Sequence, residues 1–219
     1  MHPFDLVPVE RRPLLDHYAA ELSVLNRGVN LIARSSAARI REDHIAHCLT
    51  LCQRGFPDGC RVVDWGSGGG LPAIPLAICF PAVEFVAVDS IAKKTDAVRI
   101  MARRLGLDNV VVWNGRAEDW REPVYSAVSR ATAVLETLWT WTRPWIDVPL
   151  EVENRDGLWP RGLICLKGGD LGEEMTALQR RFSETKLETQ ALGTRFGRAD
   201  WDTKYILTIT NGTPIRPSP

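Results

Sequence analysis

Asp64-Trp65-Gly66-Ser67-Gly68-Gly69-Gly70 is the stretch whose residue types and spacing imply chemistry most directly. It follows the apolar pair Val62-Val63 and precedes an apolar segment from Leu71 to Phe80, so it reads as a strand, a glycine-rich turn and a helix start. Glycines let the backbone take positive φ and let a ligand lie against the main chain. The helix start adds free N–H donors and a positive dipole end. The acid ahead of the first glycine suits a cationic ligand better than a pyrophosphate. S-adenosylmethionine carries a sulfonium and an ammonium, and Asp-x-Gly-x-Gly-x-Gly fits its binding turn. On this reading Asp64, Gly66, Ser67 and Gly68 belong to the donor site. Two other readings stay open. Gly68-x-Gly70-x-x-Ala73 fits the dinucleotide fingerprint, in a lengthened turn, and would make the chain a nicotinamide- or flavin-dependent oxidoreductase. A ligand-free structural turn is the third.

A second apolar alternation, Val83 to Val88, ends at Asp89. An acid about twenty residues beyond the glycine turn, closing the next strand, is placed to accept hydrogen bonds from two ribose hydroxyls. This does not separate the two cofactors. Ser90 is expected to cap the following helix, whose buried face carries Ile91, Val98, Met101 and Leu105 and which Gly106 stops. Ser90 and Ile91 therefore flank the nucleoside side of the site.

The elements that position these residues follow from periodicity. Leu14, Leu15, Tyr18, Leu22 and Leu25 form a helical stripe, and a second helix is expected over 37–53. From Arg61 onward strands and helices alternate. Strands are expected at 61–65, 83–88, 110–113, 124–129, 161–167 and 203–210, with a seventh near 185–192; helices at 73–79, 91–105, 133–143 and 171–183. Such alternation implies an α/β fold, a mostly parallel, doubly wound sheet covered on both faces, with ligands beyond the C-terminal strand ends. The expected organisation is an N-terminal helical extension at 1–58, a catalytic domain at 59–210 and a Pro-rich flexible tail at 211–219. Residues 146–158 carry Asp147, Glu151, Glu153 and Asp156 against Arg155 and read as an acidic surface loop.

Composition narrows the class. The formal net charge is zero, which argues against a protein that coats nucleic acid unselectively but leaves room for local patches. Residues 26–41 carry Arg27, Arg34, Arg39 and Arg41 without an acid; residues 91–104 carry Lys93, Lys94, Arg99, Arg103 and Arg104 against Asp96. Either cluster suits a phosphate backbone, and either also suits a solvated helix face. Five cysteines at scattered positions imply no disulfide framework, hence a reducing cytosol, and neither a secretory signal nor a membrane span is expected. His44, Cys48 and Cys52, at i, i+4 and i+8, span two turns and cannot share one ion, so no metal is expected.

Several further motifs are specific enough to mark a resemblance. They are Leu25-Asn26-x-x-x-Asn30-Leu31, His44-Ile45-Ala46-His47, and the extension of the glycine turn into Leu71-Pro72-x-Ile74-Pro75-Leu76. Val88-Asp89-Ser90-x-x-Lys93-Lys94, Gly115-Arg116-Ala117-Glu118, Val128-Ser129-Arg130-Ala131 and Leu166-Lys167-Gly168 complete the series. Together the chain resembles, from about Leu25 to Ile209, the glucose-inhibited division protein B family (RsmG) of bacterial 16S ribosomal RNA guanine-N7 methyltransferases. The resemblance implies a class I S-adenosylmethionine-dependent methyltransferase, with a Rossmann-like seven-stranded sheet. It implies 16S ribosomal RNA or the small subunit as partner; a monomer is expected. It further implies that Gly66, Leu71, Ala117, Glu118 and Arg130 contact the donor, with Asp89 on the ribose. Two residues depart from the family pattern: His47 stands where an Asp is common, and Trp65 where a small aliphatic residue is usual.

Guanine N7 is an unprotonated in-plane nucleophile, so its methylation needs alignment and no general base. The chain fits that absence. Ser129-Arg130-Ala131-Thr132 stands where amine methyltransferases carry an Asn/Asp-Pro-Pro-aromatic turn, and none of the cysteines follows a proline as a cytosine-C5 nucleophile would. Ribose 2′-hydroxyl transfer would want a lysine base, and Lys167 is the residue available for it. Arg130 and Lys167 are thus positioning candidates. Arg130 suits the donor's carboxylate, a phosphate or base edge of RNA, or a surface ion pair.

Overall fold

Seven strands in the order β3-β2-β1-β4-β5-β7-β6 form one sheet in the computed structural model, which describes residues 1–130, 132–146 and 156–212, without the side chains of Arg34 and Ser35. The helices are α1 (Arg12–Asn26), α2 (Ala46–Leu49), α3 (Ala73–Cys79), α4 (Ala92–Arg104), α5 (Leu135–Ile146), α6 (Gly172–Arg181) and α7 (Leu192–Phe196). The strands are β1 (Arg61–Trp65), β2 (Glu84–Asp89), β3 (Val110–Asn114), β4 (Ser126–Arg130), β5 (Leu163–Gly168), β6 (Thr185–Ala191) and β7 (Lys204–Asn211). The first five strands run parallel and β7 is antiparallel to both neighbours. The doubly wound sheet predicted from the alternation is therefore present. Its strand order reverses between β1 and β4, the place where such sheets open a crevice for ligands.

Strand alternation sorts the core into two layers. Val62, Phe85 and Ala87 face one side, packed with Leu15, Tyr18 and Leu22 of α1, Ile74 of α3 and Met101 of α4. Val63, Trp65, Val86 and Val88 face the other, against Leu135 and Trp139 of α5 and Leu178 of α6. The N-terminal residues thus share an apolar cluster with the sheet.

The 37–53 segment differs from the single α-helix expected there. It runs as a 3-10 stretch (Arg34–Arg39), a π-helical turn (Ile40–Ile45), the short α2 and a second 3-10 turn (Thr50–Gln53). The wide turn aims His44 at the end of β4, and such irregular turns recur at functional sites. Most of the acidic 146–158 loop and the tail beyond Gly212 lie outside the described residues. Among the described residues no helix is long and apolar enough to cross a membrane.

Candidate active site

The glycine turn leaves β1 at Trp65 and is fixed from three directions. Gly66 has φ +69°, and a Cβ there would come within 2.1 Å of the Thr132 methyl group, so both conformation and space require glycine. Gly68, at φ +57°, turns its amide toward β2. From α1, the buried Tyr18 hydroxyl donates to the Gly69 carbonyl at 2.7 Å. Asn26, at the end of α1, accepts from the amides of Leu31 and Ile32 at 2.8 and 3.0 Å. That one carboxamide shapes the 29–33 loop, which stands over the turn as the opposite wall of a cleft of about 670 Å³.

Asp89 closes one side of the cleft. One carboxylate oxygen accepts from Gly68 N at 3.1 Å, the other from Ile91 N at 2.9 Å. Each oxygen keeps a second lone pair, so two ribose hydroxyls still have acceptors. The helix start differs from the expected one. Ile91 is the N-cap of α4, Asp89 rather than Ser90 holds its amide, and the Ile91 side chain is 49% exposed instead of buried. Ser90 lines the cleft. Beyond β3, Ala117 and Glu118 form a single 3-10 turn on the cleft wall, and Trp141 of α5 lines it as well. Gly66, Ser67, Gly68, Leu71, Asp89, Ser90, Ala117, Glu118 and Arg130 are all brought to this one cavity.

Asp64 is not among its lining residues. It shares the face of Val62, is wholly buried, and accepts from Ala73 N at 3.1 Å at the start of α3. Burial pushes its carboxyl up to about 7, while the Ser67 hydroxyl, the Ala73 amide and the Arg130 charge act in the opposite direction. The direct contact with a ligand's cation expected for Asp64 is therefore corrected. The carboxylate holds the helix that follows the turn, and its Oδ1 has no hydrogen-bond partner among the described residues. The glycine cradle and the spare lone pairs of Asp89 fit S-adenosylmethionine without help from Asp64.

Arg130 ends β4 and forms the far wall with His44. Its Nη1 lies 2.9 Å from His44 Nδ1, and His44 Nε2 lies 2.7 Å from Ser36 Oγ. Arginine only donates, so Nδ1 accepts and Nε2 carries the proton. Burial, with the neighbouring Arg130 charge, lowers the His44 pKa to about 4, and the imidazole is neutral at physiological pH.

A family model for the rRNA small subunit methyltransferase G family matches residues 11–194. The chain belongs to this family. It is 48% identical over 196 residues to the Ribosomal RNA small subunit methyltransferase G of Salinibacter ruber, covering 90% of each chain. It is 39% identical over 173 residues to the protein of the same name from Chlorobaculum tepidum, covering 77% of this chain and 75% of that one. Its fold is similar to that of a ribosomal protein L11 methylase from Lactobacillus delbrueckii subsp. bulgaricus, with a TM-score of 0.54 at 16% identity over 77% of this chain and 78% of the other.

Within this member of the family, Lys167 is not free to act as a base. Its ammonium donates to the Ala133 carbonyl at 2.6 Å and pairs with Glu174 at 2.8 Å, and the same Glu174 oxygen accepts from Leu135 N at 3.0 Å. Lys167 thus pins the turn after β4 to α6. The arginines expected on RNA are divided. Arg41 pairs with Asp16 at 2.6 Å and stacks over Phe4; Arg39 lies 3.2 Å from Asp43. The acid-free stretch of sequence is met by acids from elsewhere: Arg41 is engaged by Asp16 while its side chain stays 41% exposed. Arg27 and Lys93 are exposed, Lys94 lines the cleft, and the Arg34 side chain lies outside the described residues. His44, Thr132 and Trp141 line the cleft and were not singled out for it from sequence. His44 sits in a quoted motif, which is the signal that could have found it.

Proposed function

We propose that the protein transfers the methyl group of S-adenosylmethionine to N7 of a guanine in 16S ribosomal RNA of the small subunit. Family membership supports the reaction class. The observation that carries the choice of N7 is the lone-pair inventory beside the Arg130–His44 wall. Both His44 nitrogens are engaged, one accepting from Arg130 and one donating to Ser36. Lys167 is engaged by the Ala133 carbonyl and by Glu174. A ribose hydroxyl or an exocyclic amine would need a base at this place; N7 needs none, because its lone pair is already free.

The bound donor supplies an electrophilic methyl group on a sulfonium, and no proton has to move when N7 takes it. The chain's part is placement. The Gly66–Gly68 backbone and Asp89 hold the nucleoside, Ala117 and Trp141 flank its base, and Arg130 is kept in one direction by His44. Lys167 fixes the segment after Arg130, which carries Thr132 back onto the carbonyls of Trp65 and Gly66 at 3.0 and 3.2 Å. The five free cysteines agree with a reducing cytosol, where the protein acts as a monomer. The test is transfer of labelled methyl from S-adenosylmethionine to unmodified small-subunit particles. Label in RNA supports the reading; label confined to protein, or none at all, removes it.

A further inference from the structure

Behind the Arg130–His44 wall lies a second cavity of about 440 Å³, lined by Arg130, His44, His47, Lys204 and the paired Arg39 and Asp43, among others. It shares its front wall with the donor cleft. Its acids are already committed. Asp43 faces Arg39, and Asp200 takes both Nε and Nη2 of Arg198 at 3.1 and 2.6 Å. Lys167, also on its lining, is held by Glu174. Two cations remain without a carboxylate partner among the described residues, Arg130 and Lys204. Lys204 is held over the buried Trp201 ring, 5.1 Å from its centroid.

Two of its lining residues also carry unpartnered polar atoms. Arg130 Nε and His47 Nε2 are buried with no hydrogen-bond partner among the described residues. His47 is 6% exposed, and burial together with Arg130 and Lys204 keeps its imidazole neutral. Buried polar atoms of this kind are costly unless a ligand satisfies them. A cavity with two cations lacking a direct carboxylate partner and an imidazole with an unpartnered nitrogen suits an anion with several acceptor oxygens.

We infer that this cavity binds a backbone phosphate of the RNA beside the methylated guanosine, held by Arg130, His47 and Lys204. The inference rests on the RNA methyltransferase reading and adds to it the group by which the nucleotide is anchored. Arg130 then touches both sides of the wall, so one guanidinium couples seating of the phosphate to the donor cleft.

The experiment measures RNA affinity for unmodified small-subunit particles over a series of salt concentrations, together with S-adenosylhomocysteine affinity by calorimetry. The variants are Lys204→Gln and His47→Gln. The second removes the imidazole and leaves Lys204 in place, so it keeps the test decisive if the first folds poorly. Each lost phosphate contact should reduce the slope of log K against log salt by roughly 0.7–0.9. Lys204→Gln should show that loss with about tenfold weaker binding. Both variants should bind S-adenosylhomocysteine as the parent does. Unchanged RNA affinity and slope in both variants would overturn the inference. Weaker binding with an unchanged slope in Lys204→Gln would assign the cavity to the uncharged base instead. Loss of S-adenosylhomocysteine affinity would assign it to the donor's carboxylate. A parent protein that binds particles with the expected salt slope but transfers no methyl would sink the proposed reaction and leave the phosphate site standing.

Discussion

Asp89→Asn is the substitution whose effect the geometry specifies most closely. Each oxygen of the carboxylate serves one backbone N–H, Gly68 on one side and Ile91 on the other. An asparagine must turn its NH2 toward one of these donors, so the change breaks a bond and sets two N–H groups against each other. On the ligand side, one of the two ribose hydroxyls loses an acceptor. Ile91 N is exposed to water, so that half of the backbone loss is largely replaced by solvent. The ribose contact is charge-assisted and is made only in the complex. Its loss should cost about 1.5–3 kcal/mol, or roughly 10- to 150-fold in affinity. Calorimetry with S-adenosylhomocysteine measures this directly, and particle binding without cofactor serves as the control. An affinity within twofold of the parent would take Asp89 out of the donor site and refute the lone-pair argument.

Three other outcomes follow from the same contacts. Tyr18→Phe removes the 2.7 Å bond to the Gly69 carbonyl and leaves it buried without that donor, so urea unfolding should show a loss of about 1–3 kcal/mol and donor affinity should fall with it; a variant indistinguishable from the parent would mean that α1 does not clamp the turn. Asp64 rises from 3.8 to about 7 on folding, so the unfolded chain loses its proton first, and its contribution to stability is lost as pH rises from about 4 through 7; Asp64→Asn should therefore be more stable than the parent at pH 8, by at most about 4 kcal/mol, with the gap closing near pH 4, and a gap that widens in acid would contradict the assignment. Single-turnover transfer at saturating donor should be nearly flat from about pH 6.5 to 8.5; below 6.5 the His44 contribution to stability is lost, because the unfolded chain protonates His44 before the folded one does, and this opposes the gain at Asp64, whereas a tenfold rise in rate per pH unit would point to hydroxyl or amine chemistry.

Much of the fold is legible in the sequence because its signals are local. A short apolar run marks β1 and an apolar alternation marks β2, both buried along most of their length, and Gly106 stops α4 at φ +64°. The broken segment at 34–53 is not legible, since its apolar spacing suits one helix and its departure from α geometry is set by contacts with β4 and α1. The residues that line the cleft are legible because turn, strand end and motif lie close along the chain. The Arg130–His44 contact joins residues 86 apart, and the Arg41–Asp16 pair joins residues 25 apart. Contacts across such distances leave no periodic trace, which is why four arginines without a neighbouring acid read as a free basic patch. Asp64 is different: it shares strand parity with Val62, so alternation alone places it facing the core, and the attention due to a motif acid obscured that.

The central claim is that methyl goes to N7 of a guanine in small-subunit RNA, with no base assisting. Nuclease digestion and mass spectrometry of 16S RNA, after incubating unmodified particles with the protein and S-adenosylmethionine, tests it most directly. The account predicts 7-methylguanosine at a single position, absent when S-adenosylmethionine is omitted. Methyl on a ribose hydroxyl, on an exocyclic amine or on another base would contradict it.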